Sequence, residues 1–309
     1  MGACVARMNG LDTVPQEHRR LSSVPMDHEY LAKKRVSSRR YYYAHLEENR
    51  KRAREKMRRL YAMTPEQRQA ARIAKRDARL RKDTEILKFI DAHRSIIYGT
   101  LLGDSTIGVQ EYGPVGRMVC LHAEDQKDYL FHKHSVFAPV ATSAPRSRQS
   151  SNPNGQLEWR FTTKTSNEWY RLWQIFHQGS KKKTVTADIL DALDDQGLAF
   201  WIMDDGCYSY MRSKSRPDYM QYRFHLCTEA FSQAENELIR SWFLERYGVH
   251  FAVERQKRRL KSGVIATYHR LRLGMIEYER QIVPRIQPFV IPSMVRKITR
   301  VPPLQVSTQ

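Results

Sequence analysis

The sequence predicts an α+β fold built from two similar halves, and three observations lead to this prediction. The order helix–strand–strand–helix–strand–strand–helix occurs twice between residues 85 and 300. Several segments alternate polar and apolar residues, which is the period of a half-buried strand. Apolar residues make up 41% of the 309 positions, which is enough to enclose a substantial core.

The first half opens with an apolar helix and closes with an amphipathic one. Thr165 and Glu168 have the spacing of a capping box, so the closing helix is expected to begin there and to run to about His177. The opening helix is expected at 86–104. Between the two helices we expect strands at 106–112 and 116–122, a helix at 126–137, a Ser/Pro/Asn/Gly-rich loop at 143–155 and a strand at 156–164.

The second half repeats this order. The segment LAFWIMDDG predicts a helix that ends at Gly206, a residue suited to a helix C-terminus. Ser232 and Glu235 form a second capping box, which begins a helix that runs to Gly248. Strands are expected at 207–213, 219–227, 249–256 and 264–272, and helical segments from about 275.

The N-terminal part of the chain differs in character from the two halves. Between residues 33 and 82, 19 Lys and Arg stand against five acids, a net charge of +14. Good helix formers dominate this tract, with Thr64 as an N-cap and Pro65 at the first helical position.

We expect a disordered N-terminus at 1–30, a basic helical arm at 31–84 that binds DNA, halves at 85–193 and 194–300, and a tail at 301–309.

The net charge of +20 implies an anionic partner, either a nucleic acid or a membrane surface. A membrane span is excluded because no apolar run is long enough to form one. The four cysteines form no C-x-x-C pair, which argues against zinc sites and disulfides and suits a reducing compartment. The 11 histidines show no metal-binding or catalytic spacing.

Two carboxylates stand out because they occupy matching places. Asp104 ends IYGTLLGDS (97–105) and Asp205 ends LAFWIMDDG (198–206), one in each half. The dipole of a helix disfavours a negatively charged side chain at its C-terminus, and the phosphates of a nucleic acid repel such a side chain as well. A bound cation would offset both effects. Mg²⁺ takes oxygen ligands of this kind, so Asp104 and Asp205 are candidate metal ligands.

Gly99 and Gly103 lie four residues apart and therefore on one face of the first helix. Small residues at this spacing allow another helix to approach closely. The two acids are then expected to lie side by side at the ends of a helix pair.

These segments resemble the paired motifs of monomeric LAGLIDADG homing endonucleases. LAFWIMDDG is a close match to the second motif, whereas IYGTLLGDS is looser, with Tyr98 in place of alanine and Ser105 in place of glycine. The resemblance covers roughly residues 86–300. It is also carried by the flanking segments KDYLFHKHSVFAP, CTEAFSQAENELI and IVPRIQPFVIPSMVRKI.

The resemblance implies a fold and a mechanism. Two pseudo-symmetric αββαββα halves would pack through the motif helices, and their antiparallel sheets would form a saddle on double-stranded DNA. Asp104 and Asp205 would hold Mg²⁺ or Mn²⁺ and cut both strands with 3′ overhangs, while Asp204 would cap or tune the site. Lys183 and Lys297 match the lysines that the family places near the scissile phosphates. The neighbouring Lys181, Lys182 and Arg296 leave each of these two assignments open by one residue.

Bases are expected to be read by the polar faces of the strands, because side chains alternate across a strand. The candidates are Glu158, Arg160, Thr162 and Lys164 in the first half and Arg223, His225, Arg270 and Arg272 in the second. A monomer that binds a long DNA target is the main hypothesis. The alternative is an RNA maturase, or a nucleic-acid-binding protein without cleavage activity, on the same fold. A non-specific basic structural protein is disfavoured by the paired motifs.

Overall fold

The structure is a computed structural model that describes Val36 and residues 43–110, 113–149, 156–180, 182–212, 220–260 and 262–299. The expectations for residues 1–30 and 301–309 lie outside this part of the chain. The chain divides into two compact units, Met1–Met57 and Arg58–Gln309. Among the described residues, no helix combines the length and apolarity that a membrane crossing requires.

Two basic helices precede the first half. Helix α1 (Leu46–Ala62) has no buried residue. Helix α2 (Pro65–Ala92) begins at the expected N-cap Thr64, whose side chain accepts a hydrogen bond from the Gln67 backbone N–H. Near its C-terminal end α2 enters the core through the buried residues Ile86, Phe89 and Ile90. The second basic helix is therefore continuous with the core of the first half.

The single helix expected at 86–104 is wrong, because His93 divides it. Helix α2 ends at Ala92 and helix α3 (Arg94–Leu102) follows at once. His93 has non-helical backbone angles, and its ring stacks on Phe89 with centroids 4.4 Å apart. The apolar pattern of the sequence continues through His93, so the pattern does not indicate that the helix is interrupted there.

Each half has the expected αββαββα order. After α3, the first half contains β1 (Thr106–Val109), β2 (Gly116–Ala123), α4 (Lys127–Phe137), β3 (Arg146–Gln149), β4 (Leu157–Thr162) and α5 (Asn167–His177). A short helix α6 (Ala187–Asp191) leads to the second half, which contains α7 (Asp195–Asp205), β5 (Gly206–Arg212), β6 (Met220–Leu226), α8 (Gln233–Tyr247), β7 (Ala252–Arg259) and β8 (Ile265–Gly274). Helical turns follow at Met275–Glu277, Tyr278–Ile282, Val283–Ile286, Gln287–Phe289 and Pro292–Lys297.

The two sheets have equivalent topologies, which confirms the predicted repeat. Both contain four antiparallel strands, in the orders β1-β2-β4-β3 and β5-β6-β8-β7. Strand β3 was expected to be part of a loop, and that expectation is wrong. Its residues Arg146 and Arg148 lie opposite Arg160 and Glu158 of β4. All four residues of β3 are exposed, so it lacks the apolar alternation that marks a strand in a sequence.

The helix caps decide where the following helices begin. Ser232 and Glu235 form the predicted capping box at the start of α8. The box predicted at Thr165 is wrong by one residue. Ser166 is the N-cap of α5, and its side chain accepts a hydrogen bond from the Glu168 backbone N–H at 2.9 Å.

The motif helices α3 and α7 pack against each other without intervening side chains. A Cβ at Gly99 would lie 2.0 Å from the carbonyl oxygen of Gly197 on α7. At the start of the helix pair, the Ser95 hydroxyl donates to Asp194, the N-cap of α7, at 2.5 Å. This close packing brings the ends of α3 and α7, and the acids that follow them, to one place.

Candidate active site

Three carboxylates meet at the ends of the motif helices. Asp104 lies two residues beyond the end of α3, after the C-cap Gly103, and Asp204 and Asp205 are the last residues of α7. Burial, followed by the charges of Asp204 and Asp104, raises the pKa of Asp205 well above its ordinary value. Burial and the Asp204 charge also raise the pKa of Asp104. The acids are thus close enough to penalise one another's negative charge.

A lysine side chain donates hydrogen bonds to the backbone on both sides of each predicted metal ligand. Lys183 Nζ donates to the carbonyl oxygens of Gly103 and Ser105, both at 2.7 Å. Lys297 Nζ donates to the carbonyl oxygens of Asp204 at 3.2 Å and Gly206 at 2.7 Å. In each half the lysine therefore contacts the residue before the acid and the residue after it.

This equivalence relates Asp104 to Asp205 and Gly103 to Asp204. A Cβ at Gly103 would lie 2.4 Å from Asp204 Oδ2, so the missing side chain of Gly103 leaves the space that Asp204 fills. The Asp104 backbone N–H donates to Asp204 Oδ2 at 3.3 Å. Asp204 thus accepts a hydrogen bond from the opposite motif.

Asp204 is neutralised by a buried lysine that the sequence analysis missed. Lys133 of α4 donates to Asp204 Oδ1 at 2.7 Å and to Oδ2 at 2.8 Å, and both side chains are fully buried. Lys133 lies on the same face of α4 as the buried Tyr129, Leu130 and Phe137. That placement was the available signal, because a lysine in an apolar stripe needs a buried partner.

His122 of β2 completes this cluster. Its Nε2 accepts a hydrogen bond from Lys133 Nζ at 3.0 Å, and its Nδ1 lies 3.8 Å from Asp104 Oδ2. Burial, together with the Lys133 charge, lowers the pKa of His122 to about 3. Ligand atoms of Asp104, His122 and Asp204 lie within 4.8 Å of one another, yet the Lys133 ammonium already neutralises Asp204 there. This group is better described as an ion-pair cluster than as a metal site.

The acids available to a cation are therefore Asp104 and Asp205. The Asp104 side chain keeps 47% of its surface exposed. Asp205 accepts one hydrogen bond, from Trp201 Nε1 at 3.1 Å. Carboxylate oxygens crowded against other carboxylates form a donor set that suits a hard divalent ion, because the ion relieves their repulsion.

One face of the first sheet carries several arginines whose positive charges repel one another. Burial, followed by the charges of Arg148 and Arg117, lowers the pKa of Arg160. Arg160 Nε is buried without a hydrogen-bond partner in the described part of the chain. Glu158 accepts hydrogen bonds from Arg148 at 3.1 and 3.2 Å. Arg117 and Arg148, which lie on this face, were not among the predicted residues.

The two remaining first-half candidates differ in position. Thr162 lies on β4 opposite Val119 of β2 and is half-buried. Lys164 lies beyond the end of β4, and its Nζ donates to the Pro139 carbonyl oxygen at 3.1 Å. Lys164 therefore sits at the margin of the sheet face.

In the second sheet the four candidates lie on neighbouring strands. His225 on β6 faces Arg272 on β8, and Arg270 faces Glu254 on β7. His225 is only 2% exposed, because Ser209 contacts its Nε2 at 2.6 Å and Glu254 lies 3.8 Å from its Nδ1. Arg270 donates from Nε to Glu254 at 2.9 Å, so its guanidinium is held in place. Arg223 and Arg272 are half-buried.

Fold and site together define a two-halved α+β protein in which paired helices bring two acids to a shared centre, where a lysine from outside these helices contacts the backbone beside each acid. A family model described as the LAGLIDADG DNA endonuclease family matches residues 94–267. Because this match spans more than half of the sequence, the chain belongs to that family.

Individual relatives agree with this assignment. DNA endonuclease I-ChuI of Chlamydomonas applanata is 24% identical over 67% of this chain and 94% of its own length. Cytochrome b mRNA maturase bI2 of Debaryomyces hansenii is 26% identical over 66% of this chain and 72% of its own length. The structure of the homing endonuclease I-WcaI bound to its DNA recognition sequence matches with a TM-score of 0.55 and 21% identity, covering 67% of this chain and 85% of that one. At this identity the structural match establishes the fold.

Proposed function

We propose that this chain acts as a monomeric, site-specific endonuclease that hydrolyses both strands of double-stranded DNA and leaves 3′ overhangs. The observation that carries the proposal is the equivalence of the two halves at the candidate site. Asp104 and Asp205 lie at the C-terminal ends of equivalent helices, and Lys183 and Lys297 bind the carbonyl oxygens on both sides of them. A duplex has two scissile phosphates related by approximate symmetry, which two equivalent acid–lysine pairs would match.

A divalent cation, Mg²⁺ or Mn²⁺, would be held by Asp104 and Asp205, and it would supply an activated water and stabilise the leaving oxygen. The crowded carboxylates support this assignment, since burial and like charge raise the pKa of both acids. Lys183 and Lys297 each use two of three ammonium protons on backbone carbonyl oxygens within the described residues. The third proton of each is available to a phosphate oxygen.

The open sheet faces would position the DNA. Arg160 in the first half and Arg270 and Arg272 in the second are half-buried arginines in the middle of these faces. Arginine can contact guanine bidentately in the major groove, and it also neutralises phosphates. The mutual repulsion of Arg117, Arg148 and Arg160 would fall when an anionic partner binds.

The test is cleavage of a plasmid library with randomised inserts in the presence of Mg²⁺, followed by sequencing of the cut ends. We expect double-strand cuts at one long site. Asp104→Asn and Asp205→Asn should abolish double-strand cleavage while DNA binding persists. Asp191→Asn is the matched control, because Asp191 is an exposed acid at the end of α6. Unchanged cutting by Asp205→Asn would refute the assigned role of that residue.

An RNA maturase is the second candidate function, and the bI2 relatives favour it. The basic helices α1 and α2 suit RNA as well as DNA. If the purified chain binds an intron transcript tightly and cuts no member of the plasmid library, the maturase is favoured and the endonuclease is rejected.

A further inference from the structure

The two halves differ in the buried polar residues at the end of the second strand, β2 or β6. The position equivalent to His122 follows from strand register. Ser105 contacts Cys120 of β2, and Gly206 lies opposite Leu226 of β6. Two residues beyond Cys120 is His122, and two residues beyond Leu226 is Thr228. Both residues are buried, so they can be compared directly.

In the first half the polar contacts form a ring that returns to Asp104. Lys133 binds both oxygens of Asp204 and donates to His122 Nε2. Because Nε2 accepts from an ammonium group, the ring proton of neutral His122 is on Nδ1. Nδ1 lies 3.8 Å from Asp104 Oδ2, which is an electrostatic contact and not a hydrogen bond, and the His122 side chain is also hydrogen-bonded to Gln126. Asp204 closes the ring by accepting from the Asp104 backbone N–H.

In the second half, the hydrogen bonds of Thr228 and Asn236 lead to backbone carbonyl oxygens, and neither side chain is charged. The Thr228 hydroxyl donates to Asn236 Oδ1 at 2.5 Å. Asn236 Nδ2 donates to the carbonyl oxygens of Thr228, Phe231 and Ser232. Within the described residues, the hydrogen bond that reaches the Asp205 carboxylate comes from Trp201 instead.

We propose that His122, Lys133 and Asp204 are positioning residues for Asp104, so that this ring sets the rate at which one of the two DNA strands is cut. The inference rests on the proposed endonuclease function and adds to it an inequality between the two strands. The ring holds the Asp104 backbone N–H by a hydrogen bond and places His122 Nδ1 3.8 Å from the Asp104 carboxylate. Asp205 has no equivalent ring in the described part of the chain. Residues that orient a metal ligand commonly change activity by about 10- to 100-fold when they are replaced.

The experiment uses a supercoiled plasmid and an end-labelled duplex that carry the target found in the library. His122→Leu removes the group that faces Asp104 and leaves the Lys133–Asp204 pair in place. We expect nicked plasmid to accumulate, one labelled strand to be cut about 10- to 100-fold more slowly, and the other strand to keep nearly its wild-type rate. His122→Gln, which keeps an acceptor and a donor, should restore much of the slow strand's rate. DNA affinity measured without divalent ions should be unchanged.

A further variant controls for a purely structural effect. Thr228→Val, at the equivalent position of the second half, should lower thermal stability without separating the two strand rates. Lys133→Met alone would leave Asp204 buried and unpaired, which is strongly destabilising.

Equal slowing of both strands in a folded His122→Leu variant would overturn the positioning role. The same is true if Thr228→Val produces the same bias. If the wild-type chain cuts neither strand of any library member, the endonuclease proposal itself fails and this inference falls with it.

Discussion

Gly99 of α3 and Gly197 of α7 are in backbone contact, and a Cβ at Gly99 would lie 2.0 Å from the Gly197 carbonyl oxygen. The contact cannot be relieved by a side-chain rotation because the opposing atom belongs to the backbone. The position of Asp104 relative to Asp205 depends on this close approach, since both acids end the helices that meet here.

The first prediction is that Gly99→Ala destabilises the fold by about 3 kcal/mol or more, because the added methyl group forces the helices apart. Thermal and urea unfolding would measure the change. Gly108→Ala on β1 is the control, since its Cβ would meet only Val119 Cγ2 at 3.8 Å, an ordinary contact. Equal stability of the two variants would show that the helices can separate without cost.

The second prediction concerns the two lysines. Lys183→Met and Lys297→Met should each lower the single-turnover cleavage rate by about 10²- to 10³-fold, because each removes a positive donor beside an acid. DNA affinity should change little. Lys182→Met and Arg296→Met alter the exposed neighbouring residues. If these neighbours prove to be the sensitive positions, the assignment is off by one residue in that half.

The third prediction concerns base recognition by the second sheet. Arg272→Ala should cost about 1–3 kcal/mol in binding and relax the sequence preference at one or two base pairs. Selection from a randomised target library before and after the substitution would reveal it. Lys164→Ala, at the margin of the first sheet, should weaken binding to all sequences alike. A uniform loss for Arg272→Ala would reassign that residue to phosphate contact.

The fourth prediction concerns α2. Arg72, Lys75 and Arg76 are exposed on this helix. If each contacts a phosphate, replacing all three with Gln should reduce the slope of log affinity against log salt by about 3. Replacing the exposed Arg240, Arg280 and Arg285 with Gln serves as the charge-matched control. An unchanged slope in the α2 variant would mean that this helix does not touch the DNA backbone.

The fifth prediction is a pH dependence of stability from His225. Burial, followed by the Arg270 charge, lowers the pKa of His225 to about 4. The unfolded chain takes up this proton near the ordinary value of about 6.5, whereas the folded chain does not until about pH 4. Stability contributed by neutral His225 is therefore complete above pH 6.5 and is lost as the pH falls toward 4. Unfolding midpoints of His225→Gln should fall less steeply across this window than those of the wild type, and parallel curves would contradict the assignment.

The sequence by itself determined the repeated order of elements, the helix starts at Thr64 and Ser232, and the acids that end the two motif helices. These features are local, because a capping residue, an alternating strand or an apolar helix face is defined by neighbours within a few positions. The family resemblance added Lys183 and Lys297, whose equivalent contacts with the backbone the structure then displayed.

Only the tertiary structure decided which charges meet. Lys133 and Asp204 are 71 positions apart in the chain, and their pairing exists because α4 packs beside the end of α7. Strand β3 likewise exists because β4 supplies its backbone partners, while its own residues are polar throughout. Ion pairs and ladder hydrogen bonds between distant segments depend on packing, and a periodic pattern in one segment carries no information about the partner that packing will bring to it.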